Sequence, residues 1–214
     1  MDKLVAGHRD RIRLSCPVES IRRHPDHVEV KAQGCPVERF DQVFLSCHSD
    51  QALNMLANPT PQEQATLGAI RYQLNDAVLH TDSTLMPRRK LAWAAWNYHI
   101  PEKRTWPDER VALTYNMNIL QSLKAPVDFC VTLNHRQAID PDKIIQSIEY
   151  THPIFTEKAV EAQQHQRTIN GSQRTYYCGA YWRNGFHEDG VVSTINALQH
   201  FQDDLAGNGF CLLY

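Results

Sequence analysis

The residues whose types and spacing point to chemistry lie near the C-terminus, in Tyr177-Cys178-Gly179-Ala180-Tyr181-Trp182-Arg183-Asn184-Gly185-Phe186-His187-Glu188-Asp189-Gly190-Val191. A strand ends at Gly179, a loop with two further glycines follows, and a helix starts on its far side. A helix start leaves N–H groups without carbonyl partners and carries a positive partial charge. It suits an anionic or electron-rich ligand edge, such as a phosphate or the pyrimidine end of a flavin. Gly179, Gly185 and Gly190 would let the backbone approach that ligand. The same pattern also serves proteins that bind nothing. Phe186 and Trp182 are then core residues, and Glu188 and Asp189 merely complement the helix dipole.

Other chemically capable side chains are less organised. His80, His99 and His187 titrate near neutrality, but no spacing marks any of them as a base, so no catalytic residue is assigned. Trp93, Trp96, Tyr98 and His80 are candidates to line a substrate cavity. The plainer reading makes such aromatics core residues or cross-strand pairs. The 11 histidines are dispersed without an H-E-x-x-H pattern, so no metal ligand is assigned. Six cysteines (Cys16, Cys35, Cys47, Cys130, Cys178, Cys211) include no C-x-x-C pair and read as reduced, structural thiols.

Gly179-Ala180-Tyr181-Trp182 followed by Gly185-Phe186-His187-Glu188-Asp189-Gly190 resembles the C-terminal flavin motif of a bacterial branch of the flavin-containing amine oxidase and phytoene desaturase superfamily. Two other segments extend the resemblance over nearly the whole chain. Leu79-His80-Thr81-Asp82, Leu85-Met86-Pro87-Arg88-Arg89 and Ala92-Trp93-Ala94-Ala95-Trp96-Asn97-Tyr98 look like that branch's substrate-domain signature. Ile12-Arg13-Leu14, Pro17-Val18, Phe40-Asp41 and Leu45-Ser46-Cys47 are similar to strands that return to the FAD domain.

The resemblance implies roles. Val18 matches a position whose backbone meets the adenine side of FAD, and Cys47 with His48 ends a strand passing near the cofactor. Gly179 and Ala180 match a glycine-acid pair that holds the ribityl or pyrophosphate region, although Ala180 lacks the carboxylate. Phe186 falls where some amine oxidases place an aromatic wall, and His187 follows it. Glu188, Asp189, Gly190 and Val191 match the helix start that faces the flavin pyrimidine ring, where N–H groups stabilise charge on reduced flavin. Ser193-Thr194 stands where the family often has Ser-Gly. One departure is large. The superfamily opens with a strand, a G-x-G-x-x-G turn and a helix that bind the ADP half of FAD, and none of the nine glycines is arranged that way. The resemblance therefore implies a C-terminal fragment, with Met1 to Arg9 as the tail of a helix, that holds FAD weakly or not at all and is inactive without a missing N-terminal dinucleotide-binding segment.

The elements needed to position these residues form an expected α+β fold: an antiparallel or mixed sheet with flanking helices, plus the C-terminal part of an FAD-binding domain. Strands are predicted over Arg11 to Ser15, His27 to Lys31 and Phe40 to Cys47. A helix capped by Ser49 covers Asp50 to Leu56. Thr60-Pro61-Gln62-Glu63 combines a capping box with proline at the first helical position. Short strands follow in Asp76 to His80, Lys90 to Tyr98, Arg110 to Met117 and Val127 to Leu133, punctuated by Pro87, Pro101, Pro107 and Pro126. Their connections are too short for helical crossovers, which predicts antiparallel pairing. Asn118 to Leu123 supplies a helical turn. Asp140-Pro141 opens a short helix carrying Ile144, Ile145 and Ile148, Ala159 to Gln166 is loop or helix, and Arg174 to Ala180 is a strand. Val191, Ile195, Leu198 and Leu205 mark a final helix ending at Gly207. The expected division is 1–57 and 171–214 in the FAD-binding part and 58–170 in the substrate part.

Bulk properties are ordinary for a soluble globular protein. Hydrophobic residues are 42%, charged residues 21%, and formal net charge is -2, which gives no reason to expect nucleic acid or an anionic membrane as a partner. No apolar run approaches a bilayer span and no signal peptide is apparent, so a cytoplasmic setting is expected. The leading function is FAD-dependent hydride transfer from a small-molecule substrate. The alternatives are a cofactor-free module binding a small or lipid-like molecule, or an interaction piece of a split protein that dimerises through exposed apolar surface.

Overall fold

Three strands near the N-terminus show how locally encoded signals are overruled by turns. The computed structural model describes residues 2–100 and 110–207, so Cys211, Pro101 and Pro107 lie outside the described residues. A short helix α1 (Asp2–Val5) and a 3-10 turn (Arg9–Arg11) come first. The strand expected over Arg11 to Ser15 is absent: Ser15 takes a left-handed φ of 54°, which breaks extension. Extended chain begins instead at β1 (Val18–Arg23). β2 (Val28–Ala32) and β3 (Val37–Phe40) complete an antiparallel sheet in the order β1-β2-β3. The long strand expected over Phe40 to Cys47 is split by Asp41-Gln42 into β3 and β4 (Val43–Leu45).

Two helices then form on cap chemistry. α2 (Ser49–Met55) is capped by His48 rather than Ser49. α3 (Pro61–Gly68) starts at the expected capping box: Thr60 Oγ1 accepts from Glu63 N at 3.1 Å and Glu63 Oε2 accepts from Thr60 N at 2.7 Å.

The chain forms two compact units, Met1–Arg71 with Pro153–Tyr214, and Tyr72–His152. The second contains a five-stranded sheet in the order β6-β7-β8-β5-β9, from β5 (Arg71–His80), β6 (Trp96–His99), β7 (Ala112–Asn116), β8 (Cys130–Leu133) and β9 (Ile144–Ile154). The β6–β7, β7–β8 and β5–β8 pairs are antiparallel, as expected. α4 (Met117–Leu120) is the expected helical turn between β7 and β8. The helix expected after Asp140-Pro141 is corrected: Pro141–Lys143 is a single 3-10 turn, and the isoleucines lie on β9. Lys90 to Tyr98 is likewise only partly strand, with a 3-10 turn over Lys90–Ala92 before β6.

The first unit resumes with α5 (Glu157–Gln163), α6 (Gln166–Ile169), β10 (Thr175–Tyr177) and α7 (His187–Gly207). β10 runs parallel to β4, with Tyr177 opposite Leu45. Tyr176 stacks on Phe44 at 4.8 Å and meets Phe201 of α7 edge-on at 5.4 Å. Such aromatic pairs add about 1 kcal/mol each beyond area burial. Tyr176 OH also donates to Asp204 at 2.9 Å, which, after burial, pushes the phenol further up from its ordinary value.

Beneath this pair sits a fully buried charge cluster. Arg23 contacts Glu63 through two N–O pairs of 2.6 and 3.0 Å, and neither side chain is exposed. Tyr177 OH donates to Glu63 at 2.5 Å, and Arg23 also donates to the Asn58 carbonyl. Burial alone would raise the Glu63 carboxyl, but the bonds from Arg23 and Tyr177 outweigh it and hold the group ionised. Removing one member leaves the other as a buried charge without its counter-ion. Glu63→Gln should therefore cost about 3–5 kcal/mol in urea unfolding, and Arg23→Met combined with Glu63→Leu should recover much of it. A Glu63→Gln chain as stable as the parent would show that the pair is not what holds β1 to α3.

Candidate functional site

β4 and β10 are the neighbouring parallel strands of the first unit, and each turns at its C-terminal end into a helix start. In open parallel sheets, that edge is where ligands bind. Cys47 follows β4 by two residues, and Gly179 follows β10 by two residues. Cys178 N donates to Leu45 O at 3.0 Å, and Ser46 Oγ lies 2.9 Å from Cys178 Sγ. The two loops thus leave the sheet side by side. Cys47 is half-buried, and burial raises its thiol.

The loop after Gly179 is closed by polar side chains of its own unit. A Cβ on Gly179 would lie 2.5 Å from the Tyr181 ring, so only glycine fits there. Gly179 N donates to Ser193 Oγ at 2.8 Å, and Ser193 Oγ donates to Gly190 O at 2.9 Å. Gln166 Nε2 donates to Tyr177 O and to Ser193 O, both at 3.0 Å. Gln163 Nε2 donates to Tyr181 O at 2.9 Å and Arg183 O at 2.7 Å. Ala180 opens a 3-10 turn on which α7 packs. Gly185 has a φ of 88°, and a Cβ there would make only ordinary contact with the Phe155 ring at 3.6 Å, so it is required for backbone conformation.

The start of α7 differs in one respect from the expectation. Gly190 N already donates to Phe186 O at 3.2 Å, and a Cβ there would meet only ordinary contacts. Gly190 is therefore neither a free donor nor a close-approach glycine. The N–H groups without an intrahelical carbonyl are those of His187, Glu188 and Asp189. Asp189 turns its carboxylate inward: Oδ2 accepts from Phe186 N at 3.0 Å and Asn184 N at 3.2 Å, with Arg183 Nε 3.7 Å from Oδ1. Phe186, His187, Glu188 and Val191 are exposed around this start. Val18 belongs to the other sheet of this unit, at the N-terminal end of β1.

In the second unit, Trp96 and Tyr98 point to the exposed face of edge strand β6, with Trp96 edge-on to Tyr115 at 5.5 Å. Asn97 between them is buried and bonded to Ala94 O at 2.7 Å and Thr114 O at 3.2 Å. Trp93 lies before the strand and donates from Nε1 to Pro87 O at 2.7 Å. His80 is fully buried, with Nδ1 accepting from Asp82 N at 3.0 Å and Nε2 at 2.7 Å from Thr132 Oγ1. Both nitrogens are used, which leaves neither for a substrate. Burial pushes its imidazole down, and Asp82 only partly opposes this. The contacts continue from Thr132 to Thr114 at 2.8 Å and from Thr114 to His99 Nε2 at 2.7 Å. Sequence reasoning missed Ser193 as a tether, along with Gln163, Gln166 and this threonine pair.

Comparison with known proteins adds to the geometry. No protein-family model and no curated protein matches the chain. Solved structures do. Putrescine oxidase bound to putrescine superposes with a TM-score of 0.58 at 10% identity, over 94% of this chain and 51% of that one. Reduced UDP-galactopyranose mutase gives 0.59 at 12% identity, over 87% and 46%. A CLA-producing fatty acid isomerase from P. acnes gives 0.58 at 14% identity, over 87% and 47%. The chain has the fold of part of these enzymes. It spans about half their length. The α+β class, with antiparallel sheets and flanking helices, is as expected. Among the described residues, no helix is long and apolar enough to cross a membrane.

Two outcomes test the local structure. Ser193→Ala leaves the Gly179 N–H without its acceptor, which should cost about 1–3 kcal/mol and speed hydrogen exchange at that amide. Unchanged exchange would place the tether elsewhere. The second outcome concerns pH. Asp82 is buried, which alone would raise its carboxyl. Bonds from Asp140 N at 2.9 Å and from Thr84 N and Oγ1 at 3.1 and 2.8 Å, with Lys143 Nζ at 3.4 Å, lower it instead to about 2. The folded value lies below the unfolded one of about 4, so the stabilisation is complete above pH ~4 and is lost as pH falls through ~2. Asp82→Asn should cost about 2 kcal/mol at pH 7, and its deficit should roughly halve near pH 3. A deficit independent of pH, in urea midpoints followed downward as far as both chains fold, would exclude an ionised Asp82 as its source.

Proposed function

We propose that this chain is the C-terminal portion of a flavin-dependent amine oxidase-like oxidoreductase. On this reading, the loops after β4 and β10 and the start of α7 hold the flavin end of FAD, and Trp96 and Tyr98 are the substrate-binding candidates carried by the second unit. The observation that carries the reading is the pairing of β4 with β10 side by side, with the Gly179 to Val191 segment at its C-terminal edge. The sequence resemblance and the shared fold of putrescine oxidase support the same class.

The residues present fit the cofactor. α7 has 21 residues, and the amides of its first turn lie among exposed side chains. The N–H groups of His187, Glu188 and Asp189 would hold the electron-rich pyrimidine edge. Ser193, Gln163 and Gln166 would hold the loop that carries them, and Gly179 would keep the backbone flat beside the ribityl chain. Cys47 would line the neighbouring loop. Asp189 keeps its charge on its own loop, which favours a neutral ring edge over a phosphate at this helix start. When bound, FAD supplies the acceptor for a hydride from the substrate. Phe186 would wall the flavin side.

The dinucleotide end of FAD would need a G-x-G-x-x-G segment, which these 214 residues do not contain. A complementary segment is the partner this reading requires. The exposed Val191, Ile195 and Leu198 of α7 form an apolar stripe for it to cover. The cytoplasm is the compartment that fits the free thiols among the described residues.

Flavin fluorescence and an absorbance scan with added FAD test the proposal. The chain should quench flavin saturably yet lose its visible band on desalting. Gly185→Val, which strains the loop at φ 88°, should weaken the quenching at least tenfold. No quenching at any concentration rejects the flavin reading in favour of a cofactor-free module. A band that survives desalting rejects the need for a complementary segment.

A further inference from the structure

The hairpin joining β1 to β2 gathers two histidines and a carboxylate that flavin chemistry does not use. Pro25 and Asp26 occupy its corner, and His24 N donates to His27 O at 2.8 Å. His24 and His27 therefore face each other where the strands leave the turn, on one face of the ribbon. Glu29, two residues beyond His27, shares that face by strand alternation. The two imidazoles stack with centroids 4.4 Å apart and planes 8° from parallel.

The ligand atoms converge. His24 Nε2 lies 3.2 Å from Glu29 Oε2, and His27 Nε2 lies 3.6 Å from Glu29 Oε1. All three groups bring an atom within 4.8 Å of the others. His24 Nε2 is shielded from solvent and stands beside the Glu29 carboxylate at ion-pair distance. A cation placed between them would be met by both groups. On the far side of His27, Asp26 Oδ1 lies 2.8 Å from Nδ1. In the tautomer with its proton on Nδ1, donated to this carboxylate, Nε2 is the lone pair, the arrangement that orients metal-binding histidines; Arg39, which can only donate, competes for Nδ1 and must yield for it. Arg39 Nη2 approaches the same Nδ1 at 2.9 Å, and Asp26 Oδ2 draws it at 3.5 Å. Arg22 stands opposite Glu29 in the strand register. Both cations oppose a bound metal and set an upper limit on its affinity.

We propose that His24, His27 and Glu29 bind one zinc ion, with Asp26 orienting His27. Two imidazoles and one carboxylate form a three-ligand zinc set that leaves the fourth position to water. Nitrogen-rich ligation of this kind disfavours calcium and magnesium, which take oxygen cages. Zinc bonds of about 2.0–2.2 Å in tetrahedral geometry place ligand atoms roughly 3.3 Å apart, close to the separations already present from Glu29 to each ring. Ligation needs the two parallel rings to tilt until their Nε2 lone pairs meet. The site has no dependence on FAD.

The test is zinc binding by the untagged chain after chelator treatment, read by competition with a chromophoric chelator and by calorimetry. One zinc per chain is expected. His24→Ala, His27→Ala and Glu29→Gln should each weaken binding at least tenfold, and Asp26→Asn should weaken it about tenfold or more. Far-ultraviolet circular dichroism establishes that each variant is folded. Cobalt in place of zinc should give d–d bands without thiolate charge transfer. Three results overturn the proposal: no stoichiometric zinc, zinc unaffected by the histidine substitutions in folded chains, or zinc lost in Cys16→Ser instead. The last would assign the metal to Cys16 and Cys35, whose sulfurs lie 3.7 Å apart.

Discussion

Burying Arg23 and Glu63 together, with no solvent access to either side chain, commits three distant segments to one geometry. Arg23 closes β1, Glu63 caps α3 from its first turn, and Tyr177 ends β10 with its hydroxyl on the same carboxylate. Desolvating two charges is costly, and only near-complete pairing offsets it. Glu63 achieves this by accepting from Arg23, Tyr177 and the Thr60 backbone at once. One consequence reaches the candidate site. Tyr177 is the last residue of β10, so its anchor fixes where the chain turns into Cys178 and Gly179. The loop at the sheet edge inherits its position from a charge pair contributed by residues more than 100 positions earlier in the chain.

Where the fold was legible, a local signal and the tertiary environment agreed. The box at Thr60 to Glu63 starts a helix because both of its bonds are made within four residues. The final helix is equally plain, since apolar residues recur at helical spacing along 21 residues. Legibility failed where neighbours decide. Ile144, Ile145 and Ile148 after Asp140-Pro141 imitate a helix, yet they lie on an outer strand whose side chains are mostly exposed, so no burial alternation marks it. Only the presence of β5 beside it makes that segment extended. Arg11 to Ser15 has an alternating pattern and no partner strand, and the left-handed Ser15 ends the possibility.

The candidate site divides along the same line. Gly179, Gly185 and the start of α7 could be read from the chain, because strand, glycine and helix follow one another locally. The side chains that hold them could not. Ser193 reaches Gly179 across 14 positions, and Gln166 reaches Ser193 across 27. Glutamines and serines have no spacing that announces such bonds. Gly190 was read as a close-approach glycine because it lies in a glycine-rich stretch, whereas its N–H is spent inside the helix. His24, His27 and Glu29 show the reverse case: their spacing became meaningful only once a hairpin set them on one face.

The run from His80 through Thr132 and Thr114 to His99 has a directional sense that its distances alone do not display. A backbone amide can only donate, so Asp82 N fixes His80 Nδ1 as the acceptor and puts the proton on Nε2. Each threonine hydroxyl has a single hydrogen to pass on. Thr132 therefore accepts from His80, whereas the hydrogens between Thr132 and Thr114 and between Thr114 and His99 Nε2 can point either way, because each hydroxyl oxygen accepts as well as donates. A peptide bond sets the sign of one end of the row, and the other end follows the tautomer of His99. The interior of this sheet therefore holds a polar row pinned at its first member and reversible at its last.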